Sequence, residues 1–206
     1  MSTDSPVSST AVGSRVGIFG GTFDPPHIAH LVVAAEVRDA LSLDIVHFVV
    51  AGEPWQKVGT RLISSAKDRL DMVSAVLAGG DKMEPSDLEM QRDGSSYTID
   101  TLREFYEAAP EDELFLILGA DAASGLASWE SADGIEDLCK IVVVDRPGEH
   151  VGIPEQYSAI RVEAPSLDLS STDLRERVQL GKSIKFLVPD AAISIVESRG
   201  LYSDGL

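Results

Sequence analysis

The chain has 206 residues, of which 44% are hydrophobic and 25% charged, ordinary values for a soluble domain long enough to bury a core. Its 34 acidic residues outnumber 17 basic ones, and the resulting net charge of −17 argues against nucleic acid as the main partner. No apolar stretch approaches the roughly 18–20 residues that cross a bilayer, so no membrane role is expected. A single cysteine, Cys139, excludes an intrachain disulfide and a cysteine zinc site, and a reducing cytoplasm follows.

In chain order, residues 1–14 are rich in serine and threonine without an apolar core, so they read as a disordered leader and not a secretory signal. The folded domain is expected over 15–206. Val16 to Phe19 is a short buried strand, followed by a helix from His27 to Leu41. Ile45 to Val50 is a second β-branched run that ends in a polar loop over 51–60. Ser65 to Leu77 has helical spacing through Leu70, Val73 and Leu77, Lys82 to Glu84 a short extended pattern, and Thr98 to Ala108 another helix. Leu114 to Leu118 is a third apolar strand, stopping at Gly119-Ala120-Asp121. A helical turn over Ile135 to Leu138 precedes the strand Ile141 to Val144, and Ile160 to Val162 adds another. Helices over Ser171 to Gln179 and Asp190 to Arg199 finish the pattern, with Gly200 at the last C-cap. Near-continuous apolar strands between helices predict one doubly wound α/β domain with a mostly parallel, Rossmann-like sheet. Ligands of such sheets bind outside the carboxyl ends of the strands.

The loops at those ends carry the chemistry. Neither Gly-x-Gly-x-x-Gly nor Gly-x-x-x-x-Gly-Lys-Ser/Thr follows the first strand, which weakens a dinucleotide-cofactor reading and excludes a Walker loop. In their place stands Gly20-Gly21-Thr22-Phe23-Asp24-Pro25-Pro26-His27, with His30 three residues further on. Glycines at a strand end let backbone amides approach an anion, and histidines at i and i+3 share one helical face. Far along the chain, Ser170-Ser171-Thr172-Asp173-Leu174-Arg175 supplies a hydroxyl-rich helix start with a guanidinium one turn inside. Arg177 falls about 200° further round that helix and should face elsewhere. Lys57, after the second strand, is a third candidate cation.

Alone, His27 and His30 read more often as a structural or solvated pair than as a phosphate site. Spacing with Asp24 also admits a metal site, although a helical zinc pair is usually His-x-x-x-His with a glutamate base. The glycine loop in front and Ser-Ser-Thr-x-x-Arg behind favour a polyphosphate.

Taken together, these motifs resemble the HxGH-type nucleotidyltransferase superfamily and, within it, the bacterial nicotinate-nucleotide adenylyltransferases. The likeness runs from Gly17 to Tyr202. Gly20 to His27 and Ser170 to Arg175 carry the superfamily, while Ser96-Tyr97-Thr98, Gly119-Ala120-Asp121, Trp129 and Arg146-Pro147-Gly148 carry the branch. Ala29 departs from the family's usual glycine, and its methyl group should narrow the adenine side. The resemblance implies transfer of AMP from ATP to nicotinate mononucleotide, with release of pyrophosphate, in NAD biosynthesis.

By the same resemblance His27, His30, Lys57 and Arg175 are catalytic, and Gly20, Gly21, Thr22, Phe23, Gly119, Asp121, Ser171 and Thr172 bind ATP. Tyr97, Thr98, Trp129 and Arg146 would bind the acceptor nucleotide. Mg²⁺ would accompany the ATP phosphates, with Asp24 reaching it through water. On composition alone Trp129 reads also as core, and Asp121 as a helix cap. The same fold acting on another phosphorylated acceptor, such as phosphopantetheine, and a catalytically silent nucleotide-binding module are the competing readings. Monomer and homo-oligomer are both open.

Overall fold

The computed structural model describes residues 13–52, 63–80, 82–92, 94–148, 150 and 152–203. Lys57 and residues 1–12 of the expected leader lie outside them. The leader's last two positions are already part of the fold. Ser14 donates its N–H to Asp112 Oδ1 and accepts from the Glu113 N–H, which ties it to the start of the strand Glu113–Leu118.

Among the described residues six strands form one sheet: β1 (Arg15–Gly21), β2 (Ile45–Val50), β3 (Met83–Ser86), β4 (Glu113–Leu118), β5 (Lys140–Asp145) and β6 (Ala159–Glu163). Their order is β3-β2-β1-β4-β5-β6, and every pairing is parallel. Among the described residues six α-helices accompany them: α1 (Ile28–Leu41), α2 (Ala66–Leu77), α3 (Thr98–Ala108), α4 (Ala120–Ser124), α5 (Ser171–Gln179) and α6 (Asp190–Ser198). The helical turn expected at Ile135 to Leu138 begins earlier. A 3₁₀ turn occupies Ala132–Gly134, and Ile135 starts the hydrogen-bonded turn that follows it. Among the described residues no helix is long and apolar enough to cross a membrane.

Strand alternation explains the layers. Val16 and Ile18 of β1, with Leu114, Leu116 and Leu118 of β4, pack on one face against Ile99 and Leu102 of α3. Phe19, Phe48, Phe115 and Ile117 pack on the other face with Ala34 and Val37 of α1. A third, smaller core joins Met72 of α2, Leu174 of α5 and Ala192 and Val196 of α6. That third core matters for function, because it holds α5 against α2 and α6.

The chain leaves β1 toward β2 on one side and β4 toward β5 on the other. Between β1 and β4 the winding therefore reverses, and a crevice opens at their carboxyl ends.

Candidate functional site

Two cavities meet at that crevice, sharing Phe19, Gly20, Thr22, Gly119 and Ala122. The first, about 280 Å³, is lined on the other side by Ser96, Tyr97, Thr98, Thr101 and Trp129. The second, about 550 Å³, reaches His27, Ala29, His30, Asp121, Arg146 and Ser170 to Thr172, with Arg175. The two ends of the sequence thus converge on one site.

Local sequence dictates the loop after β1. A side chain at Gly20 would meet no protein atom and would project into open space where both cavities join. A Cβ at Gly21 would come within 2.7 Å of the Phe23 ring. Phe23 itself has φ +50, a left-handed conformation costing an aromatic residue about 1–2 kcal/mol. That backbone turns its ring into the core against Phe19 and Phe48, with His30 edge-on at 5.0 Å. Phe23 thus stands behind His30 and also borders the second cavity.

His27 is the N-cap of α1, and its N–H donates to His30 Nδ1 at 3.1 Å. The two imidazoles stack with centroids 3.7 Å apart. His27 is 4% exposed, and burial pushes its pKa down to about 4, so it is a neutral hydrogen-bonding group near pH 7. Its Nδ1 is buried without a hydrogen-bond partner among the described residues. A buried, unpaired imidazole nitrogen beside an open cavity is destabilising unless a ligand or water meets it.

Ser170 caps α5 by accepting the Asp173 N–H at 3.1 Å, which leaves Ser171 and Thr172 in the first turn. Ser171 Oγ donates to Pro25 O at 2.9 Å, and Arg175 Nη1 donates to Asp24 O at 2.7 Å. These bonds dock the α5 start onto the glycine loop. Arg177 does face elsewhere, donating to Ser183 O at 3.2 and 3.1 Å.

Asp24 is only 1% exposed. Its Oδ1 accepts the Tyr202 hydroxyl at 2.7 Å and its Oδ2 the Ser64 N–H at 3.2 Å. Both oxygens accept from protein donors, so the carboxylate fixes the loop, and Asp24 also borders the second cavity. Among the described residues no three His, Cys, Asp or Glu side chains gather as a metal site.

The acceptor candidates divide between the cavities. Tyr97, Thr98 and Trp129 line the first. Trp129 is half-buried against the core as well, so the two readings of that residue coincide. Tyr97 is the N-cap of α3 without a side-chain cap, which leaves a helix start suited to an anion. Arg146 lines the second cavity, as do His27 and Arg175, because it follows β5, on the far side of β4. Asp121 is exposed in the first turn of α4, lines the second cavity, and does not cap the helix, whose N-cap is Gly119.

Several supporting residues were invisible in the sequence. Arg69 of α2, 1% exposed, donates Nε to Ser64 O at 3.1 Å, Nη1 to Thr22 O at 3.0 Å and Nη2 to Gly52 O at 3.0 Å. It ties three loops together with one guanidinium. Glu89, bordering the first cavity, accepts the Thr101 hydroxyl at 2.7 Å, and Arg92 donates to Thr101 Oγ1 at 2.8 Å. Asp145, at the end of β5, pairs with Arg161 at 2.9 Å. A flanking run such as Lys67-Asp68-Arg69 signals an exposed helical face, so only the fold distinguishes the buried arginine.

Residues 18–177 match the cytidylyltransferase-like family. The chain is 40% identical to a probable nicotinate-nucleotide adenylyltransferase of Geobacillus thermodenitrificans over 91% of its own length and 86% of that protein's. A protein of the same description from Frankia casuarinae is 43% identical, over 89% of this chain and 97% of the relative. In fold, the chain is similar to the nicotinic acid mononucleotide adenylyltransferase of Plasmodium falciparum complexed with NaAD, at a TM-score of 0.77 and 19% identity. That likeness covers 93% of this chain and 98% of the other.

Proposed function

The chain belongs to the nicotinate-nucleotide adenylyltransferases of the cytidylyltransferase-like family, and from that premise we propose how its two cavities divide the reaction. The enzyme transfers the adenylyl group of ATP to nicotinate mononucleotide. In our reading ATP lies in the second cavity, with its triphosphate against His27, His30, the start of α5 and Arg175. Nicotinate mononucleotide lies in the first, its ring beside Trp129 and its carboxylate at the uncapped start of α3. The observation that carries this division is the meeting of the cavities at Gly20 and Gly119, where neither residue offers a side chain to separate two reacting phosphates.

The chemistry asks for positioning more than for proton transfer. A phosphate monoester has a second pKa near 6 and is largely dianionic at neutral pH. One of its oxygens attacks the α-phosphorus of ATP, a new P–O bond forms, and the bond to the β-phosphate oxygen breaks to release pyrophosphate. No general base is needed. Two anions must be brought together, and charge grows on the leaving pyrophosphate. His27 and His30 donate hydrogen bonds to the polyphosphate, Ser171 and Thr172 add donors at a helix N-terminus, and Arg175 neutralises charge. Lys57 adds a second cation on the strength of the family resemblance. Mg²⁺ enters bound to the phosphates as part of the substrate, and Arg146, by its cavity, serves the ATP side.

The helix start also favours nicotinate over nicotinamide mononucleotide, because an anion gains from uncapped amides where a neutral carboxamide gains less. The test is His27→Ala, with folding checked by circular dichroism and turnover followed as dinucleotide product. Turnover should drop about 10²-fold or more, the scale for losing one positioned transition-state donor. Normal turnover in a folded variant would refute the assignment.

A further inference from the structure

Tyr202 lines neither cavity, yet its hydroxyl ends in the phosphate loop. It lies past α6 with φ +66 and packs on the third core, where its oxygen sits 2.7 Å from Asp24 Oδ1 and 3.9 Å from Met72 Sδ. Burial and the neighbouring Asp24 carboxylate push its phenol well above the ordinary tyrosine range, so it remains a hydrogen-bond donor throughout the working pH range.

Asp24 passes that contact on. Its carbonyl accepts Arg175 Nη1 at 2.7 Å, and its Oδ2 lies 3.8 Å from the same nitrogen. Arg175 Nη2 donates to Thr172 Oγ1 at 3.3 Å, which aligns the guanidinium with the first turn of α5. Met72 and Leu174 share the core beneath, so α2, α5 and the Tyr202 segment hold this chain of contacts as one unit.

We propose that Tyr202 is a positioning residue for adenylyl transfer: by fixing Asp24 it holds Arg175 aimed at the triphosphate. The inference rests on the assignment of Arg175 to the ATP phosphates. Tyr202→Phe removes one oxygen and leaves the ring packing intact. Orientation errors of about 1 Å can cost up to 10²-fold in rate, and losing one of several restraints should cost about 5- to 20-fold in kcat/KM for ATP. The KM for nicotinate mononucleotide should stay within about twofold, because that substrate lies in the other cavity.

A double-mutant cycle separates positioning from general stability. In an Arg175→Ala background the Tyr202→Phe loss should shrink below about twofold in kcat/KM, while the fall in Tm is the same in both backgrounds. Equal fold-losses with and without Arg175, or no loss at all, would overturn the inference alone. Unchanged turnover in Arg175→Ala would overturn the underlying assignment and this inference with it. Should Tyr202→Phe not fold, Asp24→Asn, which keeps one carbonyl acceptor but removes the charge facing Arg175, is run through the same cycle with the same criteria.

Discussion

His27 should make the free protein's stability depend on pH in a way that one substitution removes. Its pKa is 6.5 in an unfolded chain and is pushed down to about 4 by burial in the fold. A lowered histidine pKa means that the unfolded chain binds more protons, so stability rises with pH across the window between those two values. Full stability from this group is present above about pH 6.5, and it is lost progressively as pH falls toward 4. Integrated between near pH 7 and near pH 5, the loss is about 2 kcal/mol. Carboxylates titrate toward the lower end of the same window, so the comparison must be differential. Urea unfolding of wild type and His27→Asn at both pH values isolates the contribution of His27, since any cavity or hydrogen-bond cost of the substitution is common to the two conditions. The variant should lose about 2 kcal/mol less than wild type on acidification, and saturating ATP should shrink the difference by satisfying the imidazole. Equal pH dependence in the two proteins would contradict the burial argument, and with it the picture of His27 as a neutral donor awaiting an anion.

Adjacent glycines should behave differently. Gly20→Ala should keep the wild-type Tm but lose activity with both substrates, because its methyl group enters the junction of the cavities. Gly21→Ala should lose stability by about 1–3 kcal/mol through overpacking against the Phe23 ring, read by urea unfolding. Arg69→Met should be the most destabilising of these changes, about 3–5 kcal/mol, since three part-buried carbonyls lose their donor and Asp24 loses a nearby cation. Trp129→Ala should raise the KM for nicotinate mononucleotide about tenfold through lost ring contact and leave the KM for ATP near its wild-type value, in steady-state assays. Finally, Ala29→Gly should lower the KM for ATP modestly by widening the second cavity, measured in the same assay.

Much of the fold was legible because its signals are local. The apolar runs at Ile45 to Val50 and Leu114 to Leu118 cannot be solvated on either face, so they had to be central strands. Ser170 announced a helix start through capping chemistry that depends on three neighbouring residues. The phosphate-loop motif was legible for the same reason, since glycine, a turn and a paired histidine face all lie within one short segment. What escaped was set by contacts between distant residues. Arg69 and Tyr202 owe their roles to carbonyls and a carboxylate far away in sequence, and nothing in their own neighbourhoods marks them. Arg146 was assigned to the acceptor on resemblance, and its place along the lining of the second cavity depends on strand order that the sequence does not state. Asp24 reads in the sequence as an acid beside a phosphate loop, and its bonds to the Tyr202 hydroxyl and the Ser64 N–H come from residues far away in the chain.

The most direct test of two cavities joined at Gly20 and Gly119 is pyrophosphate release from ATP with a panel of acceptors. Nicotinate mononucleotide should support rapid release, nicotinamide mononucleotide slower release, and phosphopantetheine none. Release with phosphopantetheine but not with nicotinate mononucleotide, or ATP binding without release for any acceptor, would contradict the account.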